Sequence, residues 1–158
     1  MSGKDRLVAM AAMVCLVIQG CAGPKPSRPL APTESLPSEA SEGVPPAWIE
    51  TSRQSTWLAY WNYCWAARCV DWDSPQRRDD VPFIATAIGE TVTFHLDEGL
   101  SETDVYLQFF DGERLTPRQQ IGTGETVQWR VSRDGYFLLS LDPGEGDLSY
   151  TARLLVDE

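Results

Sequence analysis

The side chains that could carry out catalysis are few, and they form no recognised motif. His95 is the only histidine among 158 residues and stands in a β-favouring run, Thr-Val-Thr-Phe-His-Leu. The chain has no Gly-x-Ser-x-Gly, no His-Glu-x-x-His and no phosphate-binding glycine loop. Paired carboxylates can hydrolyse a glycoside, but 23 acidic residues make some pairing inevitable. The sequence therefore predicts that the protein is not an enzyme, and a carboxylate-dependent hydrolase is the enzymatic alternative.

Two acidic clusters could supply oxygen ligands for calcium. They comprise Asp71, Asp73, Asp79 and Asp80 around one turn and Asp142, Glu145 and Asp147 around another. Calcium takes six to eight oxygen ligands, and neither spacing matches an EF-hand loop. Arg77 and Arg78 also lie inside the first cluster, where they can pair with its carboxylates. We interpret both clusters as solvated turns and predict no metal and no cofactor.

The most distinctive side chains are aromatic, since five of the six tryptophans lie between Trp48 and Trp72. Trp and Tyr can stack on sugar rings or anchor protein partners, because each buries a large area at a small entropic cost. The candidate binding surface comprises Trp57, Trp61, Trp65 and Trp72. The alternative, which the pattern favours, is that these rings fill the core of a small domain.

The spacing of three of these tryptophans fits either a helix or a strand. Trp57, Trp61 and Trp65 are spaced by four residues, as on one face of a helix, but they also share one parity. The aromatic, β-favouring composition indicates a strand, in which the three rings occupy one face. We expect that face to be the core face.

The chain from residue 47 onwards mostly alternates polar and apolar residues between closely spaced turns, which predicts antiparallel β-structure. Further strands are predicted over 83–88, 91–96, 104–110, 125–131, 136–141 and 148–156. About seven short strands predict an all-β fold, an immunoglobulin-like antiparallel sandwich. A small β-barrel is the alternative.

An apolar run near the N-terminus has the character of an export segment. Lys4 and Arg6 precede twelve apolar residues, 7–18. At about 1.5 Å per residue the run covers roughly 18 Å, well short of the roughly 30 Å of a bilayer core. It therefore predicts a signal peptide and not a membrane span.

The run closes with Ile18-Gln19-Gly20-Cys21, which resembles the lipobox of bacterial lipoproteins: an aliphatic, a variable and a small residue, then the modified cysteine. The resemblance implies a signal peptide over 1–20, cleavage before Cys21 and a thioether-linked lipid on Cys21. It also implies attachment to the cell membrane or the outer membrane, facing outside the cytoplasm. The alternatives are an ordinary secretory signal cut after Ala22 and an uncleaved segment.

The same resemblance bears on the pairing of the remaining cysteines, because it implies that the chain lies in an oxidising compartment. Cys15 belongs to the signal and Cys21 takes the lipid, so Cys64 and Cys69 remain, with four residues between them. Such a pair is most simply a disulfide that pins a tight hairpin and stabilises it by about 2 kcal/mol. A redox pair and free thiols are the alternatives.

A second resemblance covers roughly residues 48–96. The segment 63–71, Tyr-Cys-Trp-Ala-Ala-Arg-Cys-Val-Asp, precedes Gly-Glu-Thr-Val at 89–92. It is similar to a Tyr-Cys-Trp…Cys…Asp segment of small uncharacterised bacterial lipoproteins. The resemblance implies a shared fold and the Cys64–Cys69 bridge, but no activity.

Residues 21–46 differ in composition from the rest. Seven of the eleven prolines lie between residues 23 and 46, with almost no large apolar side chain. Such a stretch cannot bury enough surface to offset its ordering entropy. We expect a disordered linker that reaches at most roughly 75 Å, followed by the folded domain over 47–158.

The net negative charge of the chain limits the kinds of partner that it can bind. From Cys21 onwards the chain has 11 basic and 22 acidic residues, which disfavours nucleic acid and anionic lipid surfaces. We expect a lipid-anchored extracytoplasmic binding or structural module of the bacterial cell envelope, attached to the membrane by Cys21, with an envelope protein or a glycan as partner. The alternative is a carbohydrate-binding module that uses the aromatic side chains of residues 48–72.

Overall fold

The computed structural model describes residues 30–72, 74–142 and 147–157. The predicted signal peptide, the lipidation site Cys21, and Asp73 and Glu145 of the acidic clusters lie outside these ranges. The described residues contain twelve strands, three short 3-10 turns and no α-helix. None of these elements is a helix long and apolar enough to cross a bilayer.

The twelve strands are numbered in chain order. They are β1 (Ala47–Glu50), β2 (Ser55–Trp57), β3 (Ala59–Trp65), β4 (Arg68–Val70), β5 (Phe83–Thr86), β6 (Thr91–Leu96), β7 (Asp104–Asp111), β8 (Arg114–Leu115), β9 (Gln119–Thr123), β10 (Thr126–Arg130), β11 (Gly135–Asp142) and β12 (Leu148–Val156). The 3-10 turns are Ser38–Glu42, Pro75–Arg77 and Glu98–Leu100.

Two sheets form the body. The smaller sheet has the order β10-β6-β1-β2, and the larger has β4-β3-β12-β11-β7-β8, with β5 beside β12 and β9 beside β7. The pairing is antiparallel except between β5 and β12. The predicted all-β sandwich is therefore confirmed. The tryptophan segment forms two strands, and β1, β4, β8 and β9 are additional. Of these, β4, β8 and β9 have no fully buried residue. Their sequences therefore lack the alternation of apolar and polar residues that predicts a strand.

The core lies between the sheets, and β7 and β10 contribute alternate residues to it. Along β7, Val105, Leu107 and Phe109 are buried while their neighbours are partly exposed. Phe94 of β6 contacts Phe137 of β11 across the layers, with ring centroids 5.8 Å apart. This period-two burial is the reason that the sequence pattern located most of the strands.

The two sheets are connected at both edges, which adds a barrel-like character. At one edge the chain passes from β2 to β3 through Leu58, whose N–H donates to the carbonyl of Ala47 at 2.9 Å. At the other edge the β9–β10 hairpin joins the sheets, and a Cβ at Gly122 would lie 2.7 Å from Cγ1 of Val127. Only glycine allows this close approach.

A bulge in β3 changes the predicted arrangement of the tryptophans. Tyr60 lies opposite Tyr150 and Tyr63 opposite Leu148, so three steps along β3 match two along β12. Tyr60 and Tyr63 are both buried in the core as a result, and the side-chain alternation restarts after the bulge. The strand prediction is confirmed, but the prediction that the three tryptophans share the core face is wrong.

Residues 34–46, here called the N-terminal strap, pack on the body. The Tyr60 hydroxyl donates to the carbonyl of Val44 at 2.8 Å, and the Tyr150 hydroxyl donates to that of Pro45 at 2.6 Å. The indole N–H of Trp57 donates to the carbonyl of Glu34 at 3.1 Å. The prediction of a disordered linker is wrong for these residues, because these strap carbonyls take donors from the body.

The predicted Cys64–Cys69 disulfide is confirmed. The two residues face each other in the β3–β4 hairpin, with a Cα–Cα distance of 4.0 Å. The two-residue loop is Ala66-Ala67, with φ angles of 47° and 68°, as a type I′ turn requires. Alanine is disfavoured there by roughly 1 kcal/mol per residue. The bridge therefore holds a turn whose own residues do not favour it.

Candidate functional site

The four predicted surface tryptophans lie in three places. Trp57 stands opposite Trp48 on the outer face of the smaller sheet. Trp65 packs against the core, beside the end of the strap at Val44 and Pro45. Trp61 and Trp72 alone come together, on the outer face of the larger sheet.

Trp61 and Trp72 line what we call the aromatic groove, together with Ser74, Arg77, Phe110 and Glu113. Trp61 is almost buried and meets Phe110 edge-on, with ring centroids 5.7 Å apart and an interplanar angle of 71°. Trp72 is 41% exposed. The groove has a volume of about 280 Å³, at the small end of ligand sites, so it suits one ring-sized group at a time.

Local features of three elements position the groove. The bulge in β3 sends Trp61 outwards, next to the inward-facing Tyr60. After β4 the chain crosses the larger sheet, and the backbone N–H of Trp72 donates to Oδ1 of Asn62 at 2.9 Å. Further along this loop, Gln76 Nε2 donates to the carbonyl of Gly112 at 3.2 Å, which ties the loop to the β7–β8 hairpin.

The ring of Trp72 lies against a buried cation. The guanidinium carbon of Arg78 is 4.2 Å from the ring centroid, and the Arg78 side chain is 8% exposed. Arg78 pairs with Asp80 and also donates to the backbone carbonyl of Tyr60. The hydrogen bond from Arg78 lowers the pKa of the Asp80 carboxyl. Because Arg78 covers one face of the Trp72 ring, it is mainly the other face that is exposed to solvent.

Charged side chains form the rim of the groove. Arg77 and Glu113 are 3.5 Å apart, with side chains 67% and 84% exposed. Such a pair contributes little to stability, so both groups can turn towards a ligand. The groove thus offers an aromatic face with a hydrogen-bonding rim, the combination that holds a ring with polar substituents.

His95 lies elsewhere, on the outer face of the smaller sheet. Its ring stacks on Trp48, with centroids 3.7 Å apart, and its Nε2 is 3.0 Å from Oε2 of Glu50. Burial lowers the pKa of His95, while the hydrogen bond to Glu50 opposes that shift. Its strand position matches the prediction, and its ring is covered. Among residues 30–72, 74–142 and 147–157, no group of three or more His, Cys, Asp or Glu could hold a metal ion.

Sequence reasoning missed Phe110, and it used Arg77 only as a partner for the acidic cluster. Phe110 could have been found: it follows Val105, Leu107 and Phe109, which share a parity that Phe110 breaks. An apolar residue out of phase at the end of a strand indicates a second apolar contact on the outer face. Glu113 carries no such signal, because its place in the groove depends on how the β7–β8 hairpin meets a distant loop.

No protein-family model matches this chain, and no curated protein or solved structure matches it either. The ligand of the groove is therefore inferred from the groove's own side chains.

Proposed function

We propose that the protein is a lipid-anchored binding module of the bacterial cell envelope, attached through a lipid on Cys21 and acting outside the cytoplasm. The observation that carries the binding role is the aromatic groove. Trp72 is an exposed tryptophan on the loop that follows β4, with Arg78 against one face of its ring and Arg77 and Glu113 beside it, and a ring held in this way takes a ligand with little further loss of entropy.

The anchor and the groove are compatible in geometry. The described chain begins at residue 30, and Ala31 lines a cavity with Trp48 and Trp57 on the outer face of the smaller sheet. The groove lies on the outer face of the other sheet. Residues 21–29 span at most roughly 30 Å when fully extended, much less than the roughly 75 Å expected for a linker through residue 46. A lipid on Cys21 therefore keeps the body near the membrane, with the groove on the sheet farther from the attachment.

The anchor is tested by metabolic labelling with a clickable fatty acid in a bacterial host. We expect label on the wild-type chain and none on Cys21→Ser. Label that persists on Cys21→Ser, or a wild-type chain that takes up no label, would contradict the anchor.

The binding role is tested separately with the unlipidated Cys21→Ser chain and isolated envelope fragments. We expect the chain to sediment with the fragments and the additional Trp72→Ala change to reduce the bound fraction at least fivefold. Phe83→Ala is the matched control, because Phe83 is 56% exposed and does not line the groove. Equal sedimentation of the Trp72→Ala and Phe83→Ala chains would contradict a binding role for the groove.

A further inference from the structure

We infer that the aromatic groove binds an uncharged glycan, with one hexose or N-acetylhexosamine ring stacked on the open face of Trp72. This inference rests on the proposed binding function and names its ligand class.

The state of the Trp72 ring points to a flat, partly apolar ligand. Its backbone is held by Asn62 and its inner face by the buried guanidinium of Arg78, while 41% of the residue remains exposed. Both contacts restrict the Trp72 ring before a ligand arrives, so stacking a sugar on it costs little further ordering of that side chain. The C–H face of a pyranose matches this platform in size and polarity, because an aromatic ring buries a large area without needing a hydrogen-bond partner on its face.

The rim supplies what the hydroxyl groups of a sugar require. Arg77 presents donors in a planar fork and Glu113 presents acceptor oxygens, and both side chains are mostly exposed at a separation of 3.5 Å. Ser74 adds a hydroxyl that both donates and accepts. A sugar hydroxyl also donates and accepts, so adjacent hydroxyls can be satisfied by one arginine and one carboxylate.

The charge of the chain and the small size of the groove disfavour a polyanionic glycan and a protein partner. The chain has a formal charge of −10, and exposed Asp71 and Asp79 lie on the same loop as Trp72, which disfavours a polyanionic glycan. A protein partner buries roughly 800 Å² on each side around an apolar centre. Of the residues that line the groove, only Trp72 is a large apolar side chain with substantial exposure. A glycan chain, which needs one platform and a polar rim, is the better fit.

The test uses the full chain, purified in a polyoxyethylene detergent so that no sugar headgroup competes. Isothermal titration calorimetry is carried out with cellopentaose, chitopentaose and penta-galacturonic acid, and acrylamide quenching of tryptophan emission is followed in parallel. We expect at least one uncharged pentasaccharide to bind with a Kd between micromolar and millimolar and to protect part of the emission from quenching. Penta-galacturonic acid should bind at least tenfold more weakly.

Three variants decide whether the groove is the site. Trp72→Ala should weaken binding at least tenfold, and Trp72→Phe, which keeps a smaller platform, should weaken it less. Phe83→Ala should leave the Kd unchanged. Binding that survives Trp72→Ala, binding to the galacturonate alone, or no binding to either uncharged sugar would overturn the inference.

Failure of the ligand class is distinguishable from failure of the binding function. If Cys21→Ser sediments with envelope fragments through Trp72 but is released after the fragments are treated with protease, the partner is a protein. The glycan inference then falls while the binding function stands. If the chain does not sediment and binds no sugar, both fall.

Discussion

The outer faces of the two sheets carry similar side chains with different exposure. On the smaller sheet, Trp48 stacks on His95, and both residues are less than 10% exposed. The indole N–H of Trp57 donates there to the Glu34 carbonyl of the strap, and Pro32 just before the strap is buried. On the larger sheet, the ring of Trp72 lies against Arg78 but the residue is 41% exposed. Aromatic content alone therefore does not mark a binding face, because other segments of the chain can cover the rings.

The largest expected effect is a difference in unfolding free energy between a tryptophan variant on the covered face and one on the exposed face. Trp48→Ala should lower the free energy of unfolding by about 3–5 kcal/mol, because it empties a covered contact. Trp72→Ala should lower it by no more than about 1 kcal/mol, since the residue is substantially exposed. Urea denaturation of the two variants in the Cys21→Ser background measures both. Similar losses in the two variants would remove the distinction between the faces.

The next effect concerns the hairpin beside the groove. Replacing both Cys64 and Cys69 by alanine should cost about 2 kcal/mol, because it frees the unfolded chain and releases the Ala66-Ala67 turn. Adding Ala66→Asn and Ala67→Gly, the pair that type I′ turns prefer, should recover about 1 kcal/mol or more. Thermal unfolding of the four combinations forms a double-mutant cycle. If the Asn-Gly turn stabilises the chain by the same amount with and without the disulfide, the turn and the disulfide contribute independently to stability.

A smaller effect tests the strap. Tyr60→Phe and Tyr150→Phe each remove a hydroxyl that donates to a strap carbonyl. Each should cost about 1–2 kcal/mol, since a buried or partly buried carbonyl loses its partner. Hydrogen exchange should increase within residues 34–46 and remain unchanged in β7 and β11. A strap whose protection does not change would show that other contacts hold it.

The smallest effect is a pH dependence confined to the covered face. Burial lowers the pKa of His95 below its ordinary value of 6.5, so the unfolded chain takes up this proton first as the pH falls. The contribution of His95 is therefore complete above about pH 6.5 and is lost progressively below it, towards the pKa of the folded state. Denaturation at pH 7.5 and 5.5 should show a decrease for wild type and a smaller decrease for His95→Gln. An equal decrease in both would assign the pH dependence to other groups.

The sequence predictions were right where the structure depends on residues close together in the chain, and wrong where it depends on remote partners. Val105, Leu107 and Phe109 gave a clear alternation, and β7 was located within one residue of its end. Trp61 was placed on the wrong face, because the bulge opposite Leu148 and Tyr150 depends on the partner strand. The prediction for the strap was wrong for a similar reason: its composition gives no sign of the hydrogen bonds that its carbonyls accept from Tyr60 and Tyr150, which are remote in sequence.

The sequence by itself determined the all-β class, most strand positions and the Cys64–Cys69 pairing, because each depends on neighbours within a few residues. It also carries the lipobox resemblance at Cys21, which underlies the proposed anchor. Only the tertiary structure decided which tryptophans share a surface. Trp61, Trp72 and Phe110 meet through a bulge, a crossing loop and a strand end, while Trp48 and His95 are covered. Such contacts arise when segments far apart in the chain pack together, and no local period encodes them.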